Sequence, residues 1–238
     1  MKRFNPTLLI LFIVVASSCQ RTELAPPKDY QTTGSSAHDF LSADVYNSLT
    51  IEISYMPGYD QPIASAVDAL KVFLNTYIHK PGGINVITKP IDASGKSILT
   101  INDISALEKT NRTVFTTGGN LTTHVLLVDA DYDKEKILGI SYWNTSICLF
   151  GKTVWANSTL TTRVQLLSTL MKHEFGHLLG LVNQGSPMQA AHEDPANKAH
   201  CNNQNCLMYY TIKVGTSGGT NTALDVNCIE DLRANGGK

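Results

Sequence analysis

The chain has 238 residues, of which 42% are hydrophobic and 16% are charged, a size and composition that suit one globular domain with a sizeable core. Its 19 basic and 20 acidic residues give a net charge of -1 and are spread along the chain. Because no block of like charge stands out, the charge pattern predicts no nucleic-acid partner and no electrostatic attraction to a membrane surface.

The first residues have the pattern of an export signal. Two basic residues precede an apolar run from Thr7 to Ala16, which is too short to span a bilayer as a helix. The segment Ala-Ser-Ser before Cys19 resembles the bacterial lipobox, in which the signal peptide is removed just before a cysteine that then carries diacylglycerol. We therefore expect residues 1–18 to be a signal peptide and Cys19 to be lipidated, with an ordinary signal peptide as the alternative.

Both alternatives predict an exported protein, and the lipid would place it in the bacterial cell envelope, on the outer membrane, with a periplasmic or surface face. Residues 19–40 are rich in Pro, Gly, Ser and Thr and have little apolar periodicity, so we expect a flexible, lipid-anchored tether. The folded domain is expected to cover residues 41–238.

Strand and helix signals are mixed in the folded domain. Residues 48–56 alternate in the manner of a strand, and residues 62–78 have helical spacing that begins at Pro62. Further strands are predicted at residues 84–91, 123–131, 137–151 and 152–157, with a short helix at 104–109. These signals predict an α/β (α+β) fold.

The longest helical signal begins after Ser158 or Thr159, either of which can cap a helix, and ends before Gly180. A last short helix is predicted at residues 223–234. Between residues 181 and 208 the chain is rich in Gly, Pro, Asn and His and is expected to be a loop.

The long helix carries the pattern HExxH at His173, Glu174 and His177. Residues four apart share one helix face, so both imidazoles can reach one zinc ion, a metal that suits neutral imidazole ligands. Glu174 would take a proton from the metal-bound water and later deliver it to the leaving amine. The pattern therefore predicts a zinc metallopeptidase with one catalytic Zn²⁺ and a peptide or protein substrate.

The residues after HExxH resemble the metzincin metallopeptidases, whose pattern is HExxHxxGxxH followed by a methionine turn. Gly180 matches the glycine of that pattern and can end the helix sharply. Asn183 stands where the family has its third histidine, and a carboxamide is a poor zinc ligand. The third ligand is therefore expected later in the loop.

The segment from His200 to Met208 has the pattern HC-x4-C-x-M and resembles archaemetzincins. The resemblance implies that His200 is the third zinc ligand and that Met208 is the turn methionine beneath the metal. His192 is the competing ligand. Glu193 would be a gluzincin-like third ligand, but the prolines on both sides of it disfavour the helix that such a ligand needs.

The resemblance also implies a zincin-like fold, with a twisted mixed sheet of about five strands, an active-site helix, a Met-turn and a C-terminal helix. The strand signal at residues 137–150 falls where metzincins have the edge strand that pairs with extended substrate. Tyr210 lies where some metzincins carry a tyrosine that supports the oxyanion, and a core aromatic residue is the alternative interpretation.

Apart from Cys19 the chain has Cys148, Cys201, Cys206 and Cys228, an even number that predicts disulfides in an oxidising compartment. Cys201 and Cys206 enclose only four residues, so we expect them to pair with each other and Cys148 with Cys228, although four cysteines allow three connectivities. Archaemetzincins use their C-x4-C and a later CxxC for a second, structural zinc. Here only Cys228 follows, so disulfides are favoured.

A catalytically silent binding lipoprotein of the cell envelope with the same fold is the alternative function. Asn183 at a ligand spacing favours it. Glu174 argues against it, because a scaffold without activity has no need for a carboxylate beside the metal. Cleavage specificity and oligomeric state are not predicted by the sequence.

Overall fold

The structure is a computed structural model that describes residue 1 and residues 32–60, 63–134, 136–213 and 221–238. The predicted signal peptide, Cys19 and most of the predicted tether lie outside the described residues, so lipidation and export stay predictions. Within the described ranges, no helix is long and apolar enough to cross a membrane.

Helices and strands are mixed along the chain. The helices are α1 (Ala37–Leu41), α2 (Ile63–Tyr77), α3 (Ile101–Asn111), α4 (Gly151–Ala156), α5 (Arg163–Leu178) and α6 (Val226–Ala234). The strands are β1 (Ser48–Tyr55), β2 (Ile84–Pro90), β3 (Ile98–Leu99), β4 (Asn120–Val128), β5 (Asp131–Tyr132), β6 (Gly139–Trp143) and β7 (Ser146–Phe150). The mixed composition confirms the predicted α/β fold class.

The main sheet has five strands in the order β2-β1-β4-β7-β6. The first four are parallel to one another, and β6 pairs antiparallel with β7. The mixed five-stranded sheet is as predicted. Only Asn144 and Thr145 connect β6 to β7, so these strands form a tight hairpin and β6 becomes an edge of the sheet.

Strand β4 separates two hydrophobic clusters. Val125 and Leu127 belong to the cluster that contains the buried faces of α2 and α5. Leu126 and Val128 belong to the cluster on the opposite face, together with Ile104 of α3. Because successive strand residues point to opposite faces, the part of β4 that is covered on both sides, Val125 to Val128, is an unbroken apolar run. The first cluster fixes α5, the helix with the HExxH pattern, against the sheet.

The prediction for residues 137–157 is wrong in detail. Residues 137–151 contain the two strands β6 and β7, and residues 152–157 lie largely in α4. Thr153, Val154 and Trp155 favour a strand by type, but tertiary packing outweighs this preference. Val154 is fully buried, and the Trp155 ring packs edge-on against Tyr59 with 4.9 Å between ring centroids.

The folded part begins before the predicted boundary at residue 41. Phe40 and Leu41 are fully buried, and the buried ammonium of Lys80 donates hydrogen bonds to the backbone carbonyls of α1 and of the residues just after it. His38 Nδ1 lies 2.8 Å from the carbonyl oxygen of Asn235. The start of the described fold is therefore in contact with its C-terminal end.

Candidate metal centre

Helix α5 carries His173, Glu174 and His177 on its buried side. The helix ends at Leu178, and Gly180 adopts a left-handed backbone with φ of 75°. A Cβ atom at Gly180 would lie 2.5 Å from the Ser186 nitrogen. Glycine is therefore required both by the backbone conformation and by the close return of the chain.

The structure brings His200 to the two histidines of α5. Ring centroids are 4.9 Å apart for His173 and His177, 5.3 Å for His173 and His200, and 5.1 Å for His177 and His200. One nitrogen from each ring lies within 4.8 Å of the other two. Three converging imidazoles are a ligand set that catalytic zinc sites use.

The protonation chemistry of the three rings fits a metal ion. His173 Nδ1 lies 2.8 Å from the Leu207 carbonyl oxygen, and His200 Nδ1 lies 2.9 Å from that of Lys198. Such backbone contacts fix the tautomer and leave the other nitrogen for a metal. Burial lowers the pKa of His173 to about 4 and also lowers the pKa of His177. The neutral imidazole, which is the ligand form, is therefore favoured.

His177 supplies an independent observation. Its buried Nδ1 has no hydrogen-bond partner among the described residues. A buried polar atom without a partner is rare in folded proteins and needs a cause. A metal ion at the three-histidine centre would account for it if Nδ1 is the nitrogen that faces the ion.

Glu174 lines the same cleft as the three imidazoles, and burial raises its pKa to about 7. The Ser141 hydroxyl, on β6, lies 2.9 Å from Glu174 Oε2 and 2.7 Å from the Glu174 backbone oxygen. A carboxyl group with a pKa near neutrality can both accept and return a proton, as a general base must.

Met208 packs directly against α5. It is fully buried, and a Cβ atom at Gly176 would lie 2.2 Å from its sulfur. The neighbouring Leu207 provides the carbonyl that contacts His173. The segment before and including Met208 therefore packs against the helix that carries His173 and His177, and its role as a turn methionine stays a prediction.

A cleft of about 1900 Å³ lies in front of the histidines and is lined by β6, by one face of α5 and by Tyr210. The Tyr210 side chain is exposed and is not a core residue. Asn183 is exposed and has φ of 63°. It is not among the residues that converge on the centre.

His192, the competing ligand, belongs to a second group of metal-binding residue types. His192, Cys201, Asp225 and Cys228 each offer a ligand atom, and these atoms lie within 4.8 Å of one another. The Cys206 sulfur is 3.6 Å from that of Cys228. Glu193 lies outside both groups and accepts a hydrogen bond from the Ala199 backbone.

The predicted disulfides are not formed in the structure. All four cysteines are free and buried. Cys148 lies on β7 and points into the hydrophobic cluster with Phe150, whereas Cys228 belongs to the other cluster. Cys148 and Cys228 are therefore on opposite faces of the sheet. Cys201, Cys206 and Cys228 all lie in one cluster.

Sequence reasoning missed Ser141, Asp225 and Asp231. Ser141 contacts Glu174, and Asp231 contacts His192 with 2.8 Å between Oδ2 and Nε2. Each contact joins two elements that are far apart in the chain. The sequence carries no local pattern that would have identified them.

Together, the sheet, the helix with two histidines and the converging third histidine define a zincin-like α/β fold with a candidate metal centre. The fold is similar to that of archaemetzincin from Methanopyrus kandleri, with a TM-score of 0.52 and 17% sequence identity over 79% of this chain and 96% of that chain. Metalloproteinase-II from Bacteroides fragilis has a TM-score of 0.45 and 19% identity over 88% of this chain and 57% of that one. No protein-family model and no curated protein matches the sequence.

Proposed function

We propose that this protein is a zinc-dependent peptidase whose metal ligands are His173, His177 and His200 and whose general base is Glu174. The observation that carries the proposal is the buried carboxyl group of Glu174 beside three converging imidazoles. The likeness of the fold to a solved archaemetzincin supports it. Burial of a carboxyl group costs free energy. A silent binding protein would have no need for such a group at this place.

A bound zinc ion would supply a Lewis acid and lower the pKa of water at the centre. Glu174 would take a proton from the attacking water and pass it to the leaving amine. Strand β6 is a sheet edge along the cleft, so it would offer backbone groups to an extended peptide. Tyr210, at the rim of the cleft, would donate a hydrogen bond to the developing oxyanion.

The test is cleavage of a mixed peptide library by the purified chain, read by mass spectrometry beside Glu174→Gln. Loss of a general base lowers rates by about 10²- to 10⁴-fold, so we expect cleavage to fall by this factor while the zinc content is unchanged. A chelated sample should also be inactive. Zinc binding without any cleavage by the unaltered chain would instead favour the silent binding lipoprotein.

We also propose a second, structural metal ion, held by His192, Cys201 and Cys228 of the second group, with Cys206, whose sulfur lies 3.6 Å from that of Cys228, as the fourth ligand in place of Asp225. His192 Nδ1 lies 3.5 Å from the Cys201 sulfur and 3.9 Å from that of Cys228. On its other side the buried Asp231 carboxylate contacts Nε2. A carboxylate behind a histidine is the usual support of a metal-binding imidazole.

The sulfur atoms favour zinc at this second position. Hydrogen bonds from Cys201 and Cys228 lower the pKa of Cys206, which favours the thiolate form that binds metals. One imidazole and three sulfur atoms are a common ligand set for a structural zinc. This second ion would replace the single-ion prediction from the sequence.

Metal analysis of His200→Ala and His192→Ala separates the two centres. We expect two zinc ions per unaltered chain and one in each variant. His200→Ala should lose cleavage, whereas His192→Ala should mainly lower the melting temperature. One ion in the unaltered chain, together with a Cys206–Cys228 disulfide found by mass mapping without reductant, would refute the second centre.

A further inference from the structure

We infer that Ser141 is a positioning residue for Glu174: its hydroxyl holds the carboxylate in the orientation that accepts a proton, and Gly139, two residues earlier on β6, leaves room for the other carboxylate oxygen. The inference deepens the proposed peptidase function and rests on it. Strand β6 would then not only contact the substrate but also orient the general base.

The two residues act on the two oxygen atoms of one carboxylate. Residues two apart in a strand share a face, so Gly139 and Ser141 both face α5. The Ser141 hydroxyl lies 2.9 Å from Glu174 Oε2. A Cβ atom at Gly139 would lie 3.2 Å from Glu174 Oε1. The glycine therefore leaves room for one oxygen while the serine binds the other.

The local backbone of β6 is irregular beside this contact. Pairing with β7 is regular from Gly139 to Ser141, and the register then shifts between Ser141 and Trp143. Such bulges bend a strand and change the direction of its side chains, and they are frequent next to active sites. The irregularity therefore lies at the residue that meets Glu174.

The N-terminal segment holds Ser141 from the opposite side. The Thr33 hydroxyl donates a hydrogen bond of 3.0 Å to the Ser141 carbonyl oxygen. The next residue, Gly34, packs so closely that a Cβ atom there would lie 1.9 Å from the Gln184 carbonyl oxygen. The position of Ser141 is thus fixed by a folded segment and not by its own strand alone.

A hydroxyl suits this position because it both donates and accepts hydrogen bonds. Ser141 can donate to Glu174 as a carboxylate, and it can accept from Glu174 as a carboxylic acid. During the second state its own hydrogen can turn to the Glu174 backbone oxygen, which is 2.7 Å away. The same pair of residues therefore stays in contact while the proton is held and released.

The competing interpretation is purely structural: the bond from Ser141 to the Glu174 backbone would simply tie β6 to α5. Kinetics separate the two. A structural tie predicts a lower melting temperature with little change in kcat per folded chain. A positioning residue predicts a lower kcat at nearly unchanged KM, and recovery when a hydroxyl is restored.

The experiment compares Ser141→Ala and Ser141→Thr with the unaltered chain and with Ser146→Ala. Ser146, on the adjacent strand, is a matched control because its buried hydroxyl donates to Glu108 and not to Glu174. Hydrogen bonds to charged groups lead us to expect about a ten- to a hundredfold fall in kcat for Ser141→Ala. KM should change less than about twofold, zinc content should be unchanged, and Ser141→Thr should recover most of kcat.

An unchanged kcat in Ser141→Ala, or a loss that Ser141→Thr does not recover while both variants stay folded and zinc-loaded, would overturn the inference and leave the peptidase function intact. Equal losses of kcat in Ser141→Ala and Ser146→Ala would also overturn it. An unaltered chain that binds zinc and cleaves nothing would overturn the proposed function, and the inference with it.

Discussion

His124 is a buried imidazole that ties the stability of the protein to pH. It lies on β4, and its Nε2 is 3.0 Å from the Ser54 hydroxyl. Burial lowers its pKa to about 4, and the charges of Glu108, Arg112, Glu52 and Lys89 have smaller effects. Because the pKa of His124 in the unfolded chain is about 6.5, the unfolded chain binds more protons than the folded chain between pH 4 and pH 6.5. The contribution of neutral His124 to the free energy of unfolding is therefore complete above pH 6.5 and is lost as the pH falls toward 4.

We therefore expect His124→Gln to flatten the pH dependence of the free energy of unfolding. Between pH 7 and pH 4 the unaltered chain should lose about 3 kcal/mol more than the variant. Denaturant unfolding at several pH values measures this difference. Above pH 7 the two curves should run parallel. If the two curves stay parallel down to pH 4, His124 takes up no additional proton when the protein unfolds.

At the scale of elements, α5 and the segment that ends at Met208 are tightly packed at Gly176. A Cβ atom at Gly176 would lie 2.2 Å from the Met208 sulfur, and both residues are buried. Overpacking of this kind costs about 1–3 kcal/mol. Gly176→Ala should therefore lower the free energy of unfolding by this amount, measured by denaturant titration.

Met208→Ala supplies the control for this contact. It removes the colliding sulfur, so the double variant should be more stable than the sum of the two single changes predicts. Additive losses would show that Gly176 is needed for a reason other than the Met208 contact.

Elements with a strong local signal were predictable, and the rest depended on contacts between elements. Helix α5 was found from its apolar spacing and from the HExxH pattern. Residues 152–157 were assigned to a strand because their types favour one, yet packing against Tyr59 and the core makes them helical. The same reason explains why Ser141 was missed: its importance comes from a helix 33 residues later in the chain.

The part of the candidate site that lies on one helix was predictable from the sequence, and the part that lies in the loop was predictable only through a resemblance. His173, Glu174 and His177 follow from spacing on one helix, and His200 was expected through a resemblance, with His192 as a competitor. Geometry separates these two, because His200 joins the α5 histidines whereas His192 joins the cysteines. The loop between Gly180 and His200 has no periodicity from which that difference could be predicted.

For the whole molecule, regular structure is uneven. In the described residues, the helices and strands lie between Ala37 and Leu178 and in α6, and no helix or strand is formed between Leu178 and α6. This region is held by side chains: His192 binds Asp231, and Asp225 binds the Asn203 amide. Since His200 lies in this region, its position depends on contacts within the loop, such as the one between its Nδ1 and the Lys198 carbonyl oxygen, and not on a helix or strand.

The contact between His38 and Asn235 also has a topological consequence. The two ends of the described fold are neighbours, while the helix of the histidine centre lies far from both in the sequence. A circular permutant joined there by a short linker and reopened at the exposed turn around Gly95 would keep the same set of contacts. The architecture therefore brings α1 and the end of α6 together, which makes a join at this place compatible with the fold.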